Sequence, residues 1–167
     1  MNKKLLFIIA LPIVIASCLK SSDNYNSCGL TLSTAVAPAS QIADVQSYLT
    51  AKNITATQHP SGLFYKINQP GSGPTAGACS TVTVKYKGTL TNGTGFDSSY
   101  VLSPNGIPFT LGGLIPGWQI GIPLIKKGGS IDLYIPPSLG YGTAASSDGK
   151  IPANSILLFN VDLVDVQ

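Results

Sequence analysis

From Gly62 to Val166 apolar and polar positions mostly alternate, and a period of two marks strands that turn one face to a core. The segments "GLFYKIN", "STVTVKYKGTL" and "SIDLYIP" carry this alternation, while "SILLFNVDLV" is a longer and more buried run. Between them "PGSGP", "TNGTG", "KKGG" and "SDGK" supply turn chemistry. Two segments keep a helical period instead. In "SQIADVQSYLTAKN", Ile42, Val45 and Leu49 fall on one face, with Ser40 as a candidate N-cap and Asn53 near the C-terminus. That stripe packs on the neighbouring domain or forms a dimer contact. In "PGWQIGIPLIKK", Trp118, Ile122 and Ile125 share a face, and Pro123 lacks the N–H a helix needs, so this helix is short, kinked or finished there. The pattern predicts an α+β fold: an antiparallel sheet curled around one short helix, preceded by an N-terminal helix extension.

The N-terminus follows a different rule. "MNKK" is positively charged, "LLFIIALPIVIA" is apolar, and "IASC" ends the run with small residues before Cys18. At about 1.5 Å per residue such a run is too short for a hydrocarbon core of roughly 30 Å, so residues 1–17 read as a signal peptide. "IASC" resembles a bacterial lipobox, which makes Cys18 the candidate lipidation site. The expected location is the bacterial cell envelope, with the chain lipid-anchored to a membrane and facing the periplasm. Residues 18–61 then comprise a Ser-, Asn- and Thr-rich tether followed by the short amphipathic helix, and residues 62–167 form the folded domain. Cys28 and Cys79 remain as an even pair in an exported chain, where a disulfide is expected ahead of two unpaired thiols.

Composition narrows the function. The chain has 167 residues, a single domain's length, and only 10% of them are charged, with no Arg and no Glu. Without residues 1–17 there are eight Lys and seven Asp, a side-chain balance of +1, which gives nucleic acid no electrostatic footing. The one histidine, His59, precedes Pro60 in a loop and reads as a surface residue, not a base. Cysteine spacing fits neither zinc nor a redox pair, the Asp residues are scattered, and no glycine loop has phosphate-binding spacing. No cofactor and no metal is expected. What stands out is a supply of aromatic residues at turn boundaries: Tyr86, Phe96, Trp118, Tyr141 and Phe159.

The stretches "VKYKGTLTNGTGFDSSY", "PFTLGGLIPGW", "GIPLIKKGGSIDLYIPPSLGYG" and "IPANSILLFNVDLVDV" resemble, in order and texture, FKBP-type peptidyl-prolyl cis-trans isomerases. The resemblance covers about Gly62 to Val166 and implies an antiparallel half-barrel wrapped on a short helix, with an apolar cleft between them. It implies Trp118 as cleft floor, Tyr86, Phe96, Leu114, Ile115, Ile151 and Phe159 as walls, Asp97 in the family's Phe-Asp pair, and Tyr141 as a carbonyl-binding hydroxyl. The Ile115 N–H is implied as a second donor to substrate, and the wall residue among Ile107 to Phe109 stays unassigned. The implied activity is X-Pro isomerisation in proline-containing proteins outside the cytoplasm, with a non-catalytic binding module or chaperone as the alternative. A macrolide of the type that binds FKBPs is the implied small-molecule ligand.

Overall fold

The computed structural model describes residues 28–100 and 103–167. Two helices and seven strands follow in the order α1 (Ala39–Ala51), β1 (Thr57–Gln58), β2 (Phe64–Gln69), β3 (Thr81–Leu90), β4 (Gly95–Ser98), β5 (Ile107–Thr110), α2 (Pro116–Gly121), β6 (Ser130–Ile135) and β7 (Leu157–Val166). All neighbours pair antiparallel, in the order β1-β2-β6-β7-β3-β4, with β5 also on β3. Strand β3 is therefore the hinge of the sheet. One edge runs its whole length along β7, while the other is shared by β5 on Thr81–Val84 and β4 on Lys87–Thr89. The four long strands are those the alternation predicts. The three short ones, β1, β4 and β5, carry too few residues for a period to show.

One sheet face packs on α2. Val82, Val84, Leu133, Ile135, Leu157 and Val161 are buried there with Trp118, Ile122 and Ile125. The helix lies close because Gly117 and Gly121 face the sheet: a Cβ on either would come within 2.6 Å of Ile135 or Leu133. Pro116 opens α2 at its first position, and a 3-10 turn over Ile122–Leu124 containing Pro123 closes it. The opposite face is covered by α1, whose Val45 and Leu49 are buried on Phe64 and Tyr134. Helix α1 thus packs on its own domain.

Both ends of α1 differ in origin. Ser40 does not cap it; the N-cap is Pro38, with no side-chain cap bond, and its carbonyl accepts the Ile42 N–H at 3.1 Å. Pro38 holds extended backbone (φ −59°, ψ 148°), so the chain turns into the helix two residues too early for Ser40 to serve. At the other end Asn53 takes a left-handed φ of 52°, and the N–H groups of Asn53 and Ile54 return to the carbonyls of Thr50 and Leu49. This closure satisfies carbonyls that the helix end would leave open.

The stretch read as a tether is held on the domain from Cys28 onward. Cys28 is disulfide-bonded to Cys79, with Cα atoms 5.8 Å apart. Leu32 packs against the core, and buried Ala37 donates its N–H to the Ser61 carbonyl at 2.8 Å. We call residues 28–38 the strap. The leader and Cys18 lie outside the described residues. Among those residues no helix is long and apolar enough to cross a membrane. His59 is half-buried rather than a free surface residue: it closes the β1–β2 turn, its Nδ1 accepting the Ser61 N–H at 3.1 Å.

Candidate active site

The cleft opens beside the N-terminal end of α2. Its volume is about 170 Å³, and it is lined by Tyr86, Asp97, Phe109, Leu114, Ile115, Trp118, Tyr141 and Phe159. Alternation along β3 and β7 aims Tyr86 and Phe159 at the α2 side, and Trp118, in the first turn of α2, rises between them. Its indole stands nearly perpendicular to Phe159 (centroids 5.2 Å apart, 88°) and to Tyr86 (5.3 Å, 85°). Edge-to-face pairs of this kind hold rings more firmly than area alone. Trp118 is only 4% exposed, and its Nε1–H has no conventional partner among the described residues; the rings around it offer at most weak N–H···π contact. Gly88 on β3 keeps the space behind the cleft, because a Cβ there would strike Phe96 and Phe159.

The polar groups gather on one side. The Tyr86 hydroxyl donates to Asp97 Oδ2 at 2.6 Å, and Asp97 Oδ1 accepts the Ser98 N–H at 2.8 Å. Burial, and then the bond to Asp97, pushes the Tyr86 phenol well above its ordinary pKa, so it serves as a fixed neutral donor. Buried Ser99 braces the pair by accepting the Tyr86 N–H on Oγ at 2.8 Å and donating its own N–H to the Tyr86 carbonyl. Tyr141 follows the turn at Pro137–Leu139, is 46% exposed at the rim, and its hydroxyl joins none of the described hydrogen bonds. The Ile115 N–H is equally uncommitted, while its carbonyl starts α2 by accepting from Trp118 and Gln119.

Of the residues singled out from sequence, Tyr86, Asp97, Leu114, Ile115, Trp118, Tyr141 and Phe159 line this cleft. Phe96 and Ile151 line an adjoining hollow under the 143–151 loop, which shares Asp97, Tyr141 and Phe159 with the cleft. Sequence reading left Phe109 unassigned. Its pairing opposite fully buried Val82 sets its parity, and that pairing is invisible until β5 is docked on β3. Ser99 carried no signal in sequence. Among the described residues no group of three or more His, Cys, Asp or Glu is placed to hold a metal ion.

A family model described as FKBP-type peptidyl-prolyl cis-trans isomerase matches residues 73–164, over half the chain, and that span contains every residue lining the cleft. The chain belongs to this family. Among its relatives, the FKBP-type peptidyl-prolyl cis-trans isomerase FkpA of Buchnera aphidicola subsp. Schizaphis graminum is 49% identical over 110 residues, covering 64% of this chain and 42% of that protein. The chain thus spans less than half the length of that curated relative. Its fold is similar to the crystal structure of FkpA from Escherichia coli, with a TM-score of 0.68 at 40% identity over 77% of this chain and 60% of that one. It is also similar to a peptidyl-prolyl cis-trans isomerase of Pseudomonas syringae pv. tomato str. DC3000, with a TM-score of 0.65 at 25% identity over 78% and 97% of the two chains. The family model leaves the strap and α1 unmatched.

Proposed function

We propose that this chain accelerates cis–trans rotation about X-Pro bonds in proline-containing proteins outside the cytoplasm. The observation that carries the reading is an aromatic-walled cleft with uncommitted donors on its rim and no Ser, Thr, Cys, Lys or His among its lining residues. Rotation needs no covalent step. It must break amide resonance, against an intrinsic barrier of roughly 18–20 kcal/mol. Planar amide is the more charge-separated state, so an apolar, water-poor cleft disfavours it relative to the twisted transition state. A prolyl ring rests on Trp118 between Tyr86, Phe109 and Phe159, while Leu114 continues the wall. Phe96 and Ile151 support the neighbouring hollow. Tyr86, held by Asp97, faces the prolyl amide, and Tyr141 and the Ile115 N–H hold the flanking carbonyls. Each 1.4 kcal/mol of differential stabilisation gives about tenfold in rate.

The test is a protease-free isomerisation assay with several X-Pro peptides on the form beginning at residue 19, beside thermal melting with an FKBP-directed macrolide. The expected result is turnover together with a raised melting temperature, since the ligand binds only the folded state. A melting shift without turnover would mark a binding module, and neither effect would reject the cleft as a prolyl site. The anchor belongs to the same reading: lipidation of Cys18 after removal of residues 1–17 holds the domain at a membrane of the bacterial envelope, facing the periplasm. Cys18→Ser is expected to release the protein from membranes on fractionation, with the loss of lipid seen by intact mass.

A further inference from the structure

The Gln119 side chain is buried on α2, yet all its hydrogen bonds leave the helix. Its Oε1 accepts the Ser33 N–H of the strap at 2.8 Å, and its Nε2 donates to the carbonyls of Gly112 at 3.2 Å and Leu114 at 2.6 Å. Only one orientation of the amide satisfies these partners, because the oxygen meets a donor and the nitrogen meets two acceptors. Neither Glu, which lacks the donors, nor an apolar residue reproduces the set. A buried amide so fully occupied ties the strap, 86 residues away in sequence, to α2 and to the backbone that leads into that helix.

The Leu114 carbonyl and the Ile115 N–H belong to one peptide unit. That unit is planar and trans, so its C=O and N–H point in opposite directions, and fixing the oxygen fixes the direction of the N–H. Hydrogen bonds in series also polarise one another: a donor on the carbonyl makes the N–H on the far side a better donor. The run Ser33 N–H, Gln119 amide, Leu114–Ile115 peptide ends at the uncommitted N–H on the cleft wall. Its first member lies on the strap, which Cys28–Cys79 ties to the domain and which lies outside the residues matched by the family model.

We propose that Gln119 is a positioning residue that links the strap to the cleft and holds the Leu114–Ile115 peptide with its N–H presented to the substrate carbonyl. This rests on the isomerase reading, and it predicts weaker substrate binding more than slower chemistry. A contact made equally in ground and transition states changes KM and leaves kcat. Gln119→Ala and Gln119→Glu should each raise KM for an X-Pro peptide by about 2- to 10-fold, with kcat little changed. Glu retains the Ser33 contact and should still fail, because the donors do the positioning.

The second readout is independent of turnover. In NMR spectra the Ile115 amide proton should move upfield and exchange faster in both variants, and Cys28→Ser/Cys79→Ser should shift it less in the same direction. Wild type itself should show a scalar coupling across the bond from Gln119 Nε2 to the Leu114 carbonyl carbon, which serves even where a variant does not fold. An inactive wild type would reject the isomerase reading while the amide signals still decide the role of Gln119. An absent coupling overturns the proposal. So do folded variants with an unmoved Ile115 amide, or with a moved amide and unchanged KM.

Discussion

The two faces of the sheet bury aromatic residues by the same physics and end differently. Under α1, Phe64 and Tyr134 sit opposite each other on paired strands and are sealed by Val45 and Leu49. Under α2, Tyr86, Trp118 and Phe159 are just as buried, yet a cleft opens among them. Helix length makes the difference. With 13 residues α1 spans about 20 Å, whereas the six of α2 span about 9 Å against ten-residue strands β3 and β7 that run about 33 Å. Pro116 confines the helix on the cleft side, since a residue before proline is driven out of the helical region and Ile115 is extended (φ −60°, ψ 148°). A cleft here is a face that its helix is too short to cover.

If the α1 face serves stability alone, Phe64→Ala should cost about 3–5 kcal/mol, read by denaturant unfolding, and leave kcat/KM of the folded fraction unchanged. Loss of activity beyond the unfolded fraction would erase the division between the faces. Cys28→Ser/Cys79→Ser should cost about 4 kcal/mol or less, the chain-entropy value for a separation of 51 residues. On the cleft face, Trp118→Leu should lower kcat/KM by about tenfold or more in protein that still unfolds cooperatively. Tyr141→Phe should lower it by about 2- to 10-fold with the melting temperature unmoved, because the exposed hydroxyl joins none of the described internal bonds.

The smallest effect concerns pH. Burial, followed by the charge of Asp132, pushes Tyr134 up to about 12, and burial also raises Tyr86. Below pH 10 the folded and unfolded chains hold these phenolic protons alike, so stability is unaffected. Above it the unfolded chain loses them first, so the melting temperature should fall from pH 10 toward 12, and Tyr134→Phe should flatten that fall. An unchanged slope would show that Tyr134 is not sealed as its face implies.

What was legible in sequence follows the same division. Long strands announce themselves by period, whereas Trp118 is placed in the cleft by the resemblance to FKBP-type isomerases and not by its spacing alone. Pro123 foretold a short helix. Phe109 could not be assigned, because parity on a four-residue strand is set by its partner β3 and not by its own pattern. The capping preference of Ser40 yields to the backbone constraint of Pro38, which starts the helix two residues earlier. Ser99 is silent because its partner Tyr86 lies 13 residues away, and Gln119 because its amide closes only when Ser33, 86 residues away, meets it beside the Gly112 and Leu114 carbonyls.

The bridge between Cys28 and Cys79 also sets a length. Under the anchor reading, Cys28 lies ten residues after Cys18, and beyond it the strap is part of the domain. Ten residues of any chain span at most about 35 Å. The cleft would then search a thin shell against the membrane instead of the whole compartment. Confinement of this kind raises the local concentration of catalyst seen by chains emerging from or folding at that surface, without any new contact to them. Moving the bridge along the strap would tune that shell, one residue adding about 3.5 Å to its depth.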